Sequence, residues 1–325
     1  MTRYNELLIW LKQFFEDEIS LNSVSNDASF RGYYRISSNK GTFIVMDAPP
    51  DKENISSFVV IGKNLHKDGI RVPLIYETNP EQGFILMEDF GNKTYSSIFS
   101  FQNPTLLYKN VLQALFKIQK NCIYKNIPMY TATLLRDEMS LFEIWYLKKY
   151  KKIELSSNEI NDLNKIFNMI ITSNLKQSQC VVHRDFHCRN LMYLDKENTP
   201  GIIDFQDAVN GPITYDLVSL LKDAYFEFEE DVILDMVIRY WEMLREANLI
   251  EKIEFVDFFK SFEFMGVQRH LKILGIFVRL SLRDNKQQYL DNLPLVEKYL
   301  IKTTSRYKEL FPLRNILNKV IKNDN

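Results

Sequence analysis

The stretch Val182-His183-Arg184-Asp185-Phe186-His187-Cys188-Arg189-Asn190, followed by Gly201-Ile202-Ile203-Asp204-Phe205-Gln206, decides how this chain is read. Residues 179–182 and 191–194 suit short strands on either side of a polar loop, and Ile202-Ile203 suits a third strand ending in Asp204. Asp185 and Asn190 stand five positions apart, and Asp204 follows Asp185 by 19 positions, a spacing that fits a hairpin carrying both carboxylates toward one place. For a lone Asp185, a helix cap beside a satisfied core histidine at 183 would be the better account. Strand, loop, strand and a second strand-ending Asp in that order favour a chemical one.

The spacing Asp-x-x-x-x-Asn is that of a kinase-type catalytic loop, in which the Asp orients and deprotonates a hydroxyl. Asn190 on the same loop and Asp204 can then hold the Mg2+ of a nucleotide. Phosphoryl transfer asks little covalent chemistry of a protein, so catalysis is mostly positioning and charge neutralisation, which these three polar side chains supply.

The rest of the chain bounds this reading. It has 325 residues, 46% hydrophobic and 26% charged, enough for a sizeable core in one bilobal enzyme or two domains. A net charge of −1 gives no global pull toward nucleic acid. Three cysteines without paired spacing, and no signal peptide, point to reduced thiols in a cytoplasmic protein, and no Cys/His pattern indicates zinc. No uninterrupted apolar run reaches membrane-spanning length, and residues 273–282 are broken by Arg279.

Residues 1–16 read as an amphipathic helix. Residues 29–37 and 42–46 read as a hairpin around Ser38-Asn39-Lys40-Gly41, residues 58–66 as a helix, and residues 73–77 and 83–87 as two more strands. Beyond Glu88-Asp89-Phe90-Gly91 the character turns helical, at residues 106–118, 134–150, 158–171, 215–226, 231–247 and 255–282. The expected fold is therefore α+β and bilobal. Residues 1–90 would form a small antiparallel-sheet, nucleotide-binding lobe, and residues 91–325 a large helical lobe with the catalytic loop and acceptor site. A hinge is expected near residues 87–91, with the nucleotide in the cleft between lobes.

Other candidates are weaker. Gly32 is the only glycine of the candidate phosphate loop, where Ser29 and nearby amides could cover phosphates. Glu88 and Phe90 could offer hinge backbone groups to adenine, though a strand end before a Gly91 turn explains them equally well. Asp207 could be a supporting carboxylate, a turn former or a substrate contact. Asp216, at a helix start, suits the helix dipole or a hydrogen bond to the catalytic loop. Arg269, Lys272, Arg279 and Arg283 recur at helical spacing as one basic stripe. Such a stripe is usually a solvated face, and its sharper reading is a wall facing an anionic substrate.

The catalytic-loop motif resembles that of the aminoglycoside phosphotransferase/choline kinase superfamily, which shares the protein kinase architecture. Further segments, Asp27 through Arg35, Ile44-Val45-Met46-Asp47-Ala48-Pro49-Pro50, Asp204 through Val209, Tyr215 through Ala224 and Met265 through Lys272, look like those of the bacterial cell-wall amino-sugar kinases. These are the anomeric N-acetylmuramate/N-acetylglucosamine kinases, and the resemblance runs from about residue 26 to residue 300. It implies ATP and Mg2+, with the γ-phosphoryl group passing to the anomeric hydroxyl of a free amino sugar. The α-sugar-1-phosphate would feed UDP-sugar synthesis and peptidoglycan recycling. By motif Asp185 matches the base, and Asn190 and Asp204 the magnesium ligands. Two departures stand out: the strand at 42–47 offers Met46 and Asp47 where a phosphate-binding lysine is expected, and the phosphate loop is glycine-poor. Arg31 or Arg35 would supply the missing charge. Because N-acetylmuramate carries a lactyl carboxylate, Arg269 or Lys272 would meet it. An aminoglycoside- or choline-type kinase and a nucleotide-binding pseudokinase are the alternatives. A protein kinase is disfavoured by the lack of an Ala-Pro-Glu segment.

Overall fold

Short apolar runs such as Phe43-Ile44-Val45-Met46 and Phe84-Ile85-Leu86-Met87 build one sheet early in the chain, and helical periodicity organises most of the remainder. The structure, a computed structural model, describes residues 2–16, 19–25, 30–99 and 103–323. In chain order, α1 (Arg3–Leu11) precedes β1 (Ser20–Ser25), β2 (Gly32–Ser38), β3 (Gly41–Asp47), α2 (Ser56–Lys67), β4 (Ile75–Asn79), β5 (Phe84–Glu88) and α3 (Tyr95–Ile98). Then come α4 (Pro104–Asn121), α5 (Ala132–Leu141) with a π-helical continuation (Phe142–Tyr150), and α6 (Ser157–Leu175). Four short strands come next, β6 (Gln179–Val182), β7 (Leu191–Met192), β8 (Gly201–Ile202) and β9 (Val209–Pro212). The chain closes with α7 (Tyr215–Leu221), α8 (Glu230–Glu246), α9 (Phe255–Asp284), α10 (Leu293–Arg306) and α11 (Phe311–Asn323).

The chain divides into two compact units, Met1–Ile98 with Asn190–Asp207, and Phe99–Arg189 with Ala208–Asn325. In the smaller unit the sheet runs β1-β2-β3-β5-β4, antiparallel throughout. The β2–β3 hairpin turns at Asn39-Lys40, with Ser38 opposite Gly41, whose φ of +112° suits a residue without a side chain. β1 is a fifth strand, one not expected from the sequence. Ser20-Leu21-Asn22-Ser23-Val24-Ser25 has little apolar character, and its place at the sheet edge comes from pairing with β2. Leu7, Trp10 and Leu11 of α1 join Phe15, Ile36, Val45, Phe84 and Leu86 in one core cluster. The later segment adds the β7–β8 pair, Leu191 opposite Ile202.

The larger unit is built around α9, whose 30 residues are buried over most of their length and pack against α5, α6, α7, α10 and the π-helical stretch. A Cβ at Gly275 would stand 2.4 Å from the Leu141 backbone, so this close crossing requires glycine. Side-chain caps fix several helix starts: Asn103 accepts from Thr105, Thr131 from Leu134, and Ser156 with Glu159 forms a capping box on α6. β6 pairs antiparallel with β9. No helix of the described residues is long and apolar enough to cross a membrane.

Candidate active site

In the larger unit β6 delivers the chain into the loop that begins at His183. Asp216, fully buried in the first turn of α7, accepts the His183 N–H at 2.7 Å and the Arg184 N–H at 3.0 Å. Burial pushes its carboxyl above the usual range, with His183 and the two amides opposing. The structure gives Asp216 the loop contact, from a place in the first turn of α7 that also suits the helix dipole. Arg184 has φ +77°, a left-handed conformation that costs a non-glycine residue roughly 1–3 kcal/mol. It is held on three sides. Asp216 takes its N–H, Arg269 Nη1 donates to its carbonyl at 2.7 Å, and its own Nη2 reaches Glu138 at 2.6 Å. Asp185 is the next residue.

The Asp185 side chain is 45% exposed and has Arg269 Nη2 at 3.7 Å. Despite that exposure, desolvation by the protein packed around it pushes its carboxyl up, but Lys272 first and then Arg269, His187 and His183 outweigh that and hold it well below the usual carboxylate range. At neutral pH Asp185 is therefore anionic. So acidic a group is a weak base, better suited to aligning a hydroxyl and taking its proton late than to ionising it beforehand.

The basic stripe read from the sequence is not one surface. Arg269 and Lys272 are 4% and 7% exposed, because the middle of α9 is enclosed by other helices, while Arg283 is exposed and pairs with Asp284. Both buried cations meet the Tyr215 hydroxyl, Arg269 at 3.1 Å and Lys272 at 3.0 Å. Lys272 also pairs with Glu138 at 2.9 Å. Glu138 further accepts from Gln268 at 2.9 Å and from the Tyr130 hydroxyl. Burial raises the Glu138 carboxyl, but Lys272 and Arg184 bring it below its ordinary value. Sequence reading missed Glu138, Tyr130 and Tyr215. The available signal was a carboxylate between Leu135 and Met139 on the buried face of α5.

In the smaller unit Asn190 immediately precedes β7, and its carbonyl accepts the Ile203 N–H at 3.1 Å, which brings Asp204 alongside. Asn190 Nδ2 lies 3.2 Å from Asp204 Oδ2. Asp204 has φ +66°, the second strained residue to fall in the two motifs. Gln206 Nε2 donates to Asp204 Oδ1 at 2.8 Å and reaches Asp207 Oδ2 at 3.3 Å. The next side chain, Phe205, is buried against Phe58 with ring centres 4.8 Å apart, in a space that exists because position 62 of α2 is glycine. Phe205 is thus anchored inward and Asp204 left exposed. Among the described residues no group of three or more His, Cys, Asp or Glu is gathered to hold a metal. Mg2+ that shares its coordination with phosphates and water needs only one or two protein groups, and the adjacent oxygen donors Asn190 and Asp204 fit it.

Of the residues read as nucleotide-binding, Ser29 lies outside the described residues. Arg31, half-buried, pairs with Glu53 at 3.0 Å. Burial would lower its pKa, but Tyr33, Glu53 and Asp207 hold it up. Arg35 grips both Asp89 oxygens, at 2.6 and 2.9 Å, and reaches Asn92 and the Gly91 carbonyl. Glu88 is clasped by both Nη atoms of Arg71, at 2.6 and 2.7 Å, and the Arg71 guanidinium lies over the Phe90 ring at 4.5 Å. Arg71 was not singled out from the sequence. At the expected lysine position Met46 is fully buried and Asp47 pairs with Arg3.

Comparison with known proteins adds an independent line. The profile of the phosphotransferase enzyme family matches residues 20–250. The chain is 38% identical to the N-acetylmuramate/N-acetylglucosamine kinase of Neisseria meningitidis, over 99% of this chain and 97% of that one. It is also 38% identical to the protein of the same name from Pseudomonas aeruginosa, over 90% and 86%. Among solved structures, a choline kinase from Streptococcus pneumoniae superposes with a TM-score of 0.67 at 11% identity, covering 93% of this chain and all 100% of that one. An ADP-bound aminoglycoside phosphotransferase gives 0.57 at 15%, covering 90% and 96%. These two likenesses establish the protein-kinase-like fold.

Proposed function

The chain belongs to the phosphotransferase enzyme family, and on that premise we propose that it transfers the γ-phosphoryl group of ATP to the anomeric hydroxyl of N-acetylmuramate and N-acetylglucosamine. One observation carries the acceptor class: the near-full-length likeness to kinases of that name. The product would be the sugar 1-phosphate, consistent with a place in peptidoglycan recycling.

In this reading Asp185 accepts a hydrogen bond from the acceptor hydroxyl and takes its proton as the new P–O bond forms. Arg269 and Lys272 keep that carboxylate ionised. Asn190 and Asp204 would hold Mg2+, which when bound neutralises charge on the β- and γ-phosphates. Arg31 is the better candidate for the missing phosphate-binding charge, because Arg35 is already spread over Asp89, Asn92 and Gly91. The backbone from Glu88 to Phe90 would border the adenine, and Asp207 would orient Arg31 through its charge.

The test is ADP release with Mg2+ against N-acetylmuramate, N-acetylglucosamine, choline and an aminoglycoside, with Asp185→Asn as control. Turnover on the two amino sugars, reduced on the order of 10²–10⁴-fold in the variant, is expected. Turnover on a cationic acceptor alone would overturn the acceptor assignment. ATP binding without turnover on any acceptor would favour a regulatory pseudokinase.

A further inference from the structure

One charged residue of the catalytic loop has no part in the proposed phosphoryl transfer. Arg189 lies between Asp185 and Asn190, is exposed, and places its guanidinium carbon 3.6 Å from the centre of the Tyr225 ring. Among the described residues its side chain makes no ion pair and no hydrogen bond. The other cations around Asp185 differ in this respect, since Arg184, Arg269 and Lys272 are each tied to protein oxygens.

The support beneath Arg189 is built rather than incidental. Asp223, 3% exposed, accepts the Cys188 N–H through Oδ2 and the Tyr225 N–H through Oδ1, both at 3.1 Å. One buried carboxylate thus fixes the loop carrying Arg189 to the segment carrying Tyr225. Phe277 of α9 stacks behind Tyr225 at 6.0 Å, Tyr289 packs on Phe277 at 5.1 Å, and His187 meets the Tyr225 ring edge-on at 5.3 Å. Burial pushes the Tyr225 hydroxyl up, Arg189 pulls it down, and Asp223 and Asp185 add to the rise, so the ring stands within electrostatic reach of Asp185.

We infer that Arg189, laid on Tyr225, reads a carboxylate on the acceptor sugar. The inference rests on the proposed function and supplies its acceptor site with a specificity residue. A guanidinium resting on an aromatic face is pre-oriented, weakly hydrated and leaves its N–H edge open for two parallel bonds to a carboxylate. Four positions of loop separate it from Asp185, at most roughly 14 Å of chain. A pyranose with its anomeric hydroxyl at Asp185 and a lactyl arm at the far side fits within that span. Arg269 and Lys272, the cations expected to meet this carboxylate, would first have to give up their contacts to Tyr215, Glu138 and the Arg184 carbonyl.

The experiment compares kcat/KM for N-acetylmuramate and N-acetylglucosamine in the wild type, Arg189→Met and Arg189→Lys. Met keeps an apolar stem on the ring without the charge, and Lys keeps the charge without the fork. The N-acetylmuramate-to-N-acetylglucosamine ratio should fall on the order of 10- to 100-fold in Arg189→Met, mainly through KM, and recover in part in Arg189→Lys. An unchanged ratio, with the wild type active on both sugars, overturns the inference and leaves the functional reading standing. A wild type silent on both sugars overturns the two together.

Discussion

Asp216→Asn should damage catalysis while leaving the protein folded. The wild-type carboxylate receives two backbone N–H groups, from His183 at 2.7 Å and Arg184 at 3.0 Å. Asparagine can keep one of them, and its NH2 then faces the other donor. The shorter bond, to His183, is the one to survive, so Arg184 loses its partner. A hydrogen bond to a charged group contributes about 1.5–3 kcal/mol. Against that loss, the neutral amide no longer bears the cost of a buried charge that pushes the Asp216 carboxyl up. The net destabilisation is therefore smaller than the lost bond alone, about 1–2 kcal/mol. The left-handed Arg184 backbone holds roughly 1–3 kcal/mol of strain, comparable with the lost bond, so the segment carrying Asp185 is free to relax. A misplacement of about 1 Å can lower a rate by about 10²-fold, so kcat should fall roughly 10- to 100-fold. Initial-rate ADP release at saturating substrates reads kcat, and urea unfolding reads stability. A folded Asp216→Asn protein with wild-type kcat would refute the claim that Asp216 positions Asp185.

Lys272→Met removes the largest of the charges that hold the Asp185 carboxyl down, so the acid limb of the kcat–pH profile should move to higher pH; an unmoved limb contradicts that role. His270, 1% exposed and stacked on Tyr299 at 5.0 Å, has its pKa pushed down to about 3, first by burial and then by Lys222. Its folded imidazole stays neutral while the unfolded one takes a proton near the ordinary value of about 6.5. That contribution is complete above pH ~6.5 and is lost toward pH ~3 at about 1.4 kcal/mol per pH unit. Between pH 7 and pH 5, urea unfolding of the wild type should thus lose about 2 kcal/mol more than His270→Phe, and equal losses would contradict a neutral buried imidazole. Arg31→Ala should raise the KM for ATP or lower kcat by about tenfold, the worth of one charged hydrogen bond. Unchanged ATP affinity and turnover would remove Arg31 from the phosphates.

The candidate site was legible in sequence where local spacing carries it, and illegible where tertiary packing does. Asp185, Asn190 and Asp204 stand out because loop and strand ends recur at fixed distances along the chain. The helices at 106–118, 158–171, 231–247 and 255–282 appear in the structure with ends shifted by a few residues. The helix expected over 215–226 stops at Leu221, because Asp223 turns its carboxylate to Cys188 and Tyr225. The segment expected as one helix over 134–150 becomes π-helical from Phe142 beside the close approach of Gly275 to Leu141, a contact with a residue more than a hundred positions away. α10 and α11 lie beyond the helices read from the sequence. The basic stripe on α9 was misleading because periodicity cannot tell a solvated charged face from a buried one compensated by Glu138 and Tyr215. Arg189 was in view from the start, but its support on Tyr225 is a contact across 36 positions.

The most direct test of the central claim identifies the product. The protein, ATP, Mg2+ and N-acetylglucosamine or N-acetylmuramate are incubated, and the phosphorylated sugar is read by phosphorus-31 NMR, with Asp185→Asn alongside. The expected result is a phosphate coupled to the anomeric proton, formed by the wild type and nearly absent with the variant. Phosphate on any other hydroxyl, or equal product from Asp185→Asn, would contradict it.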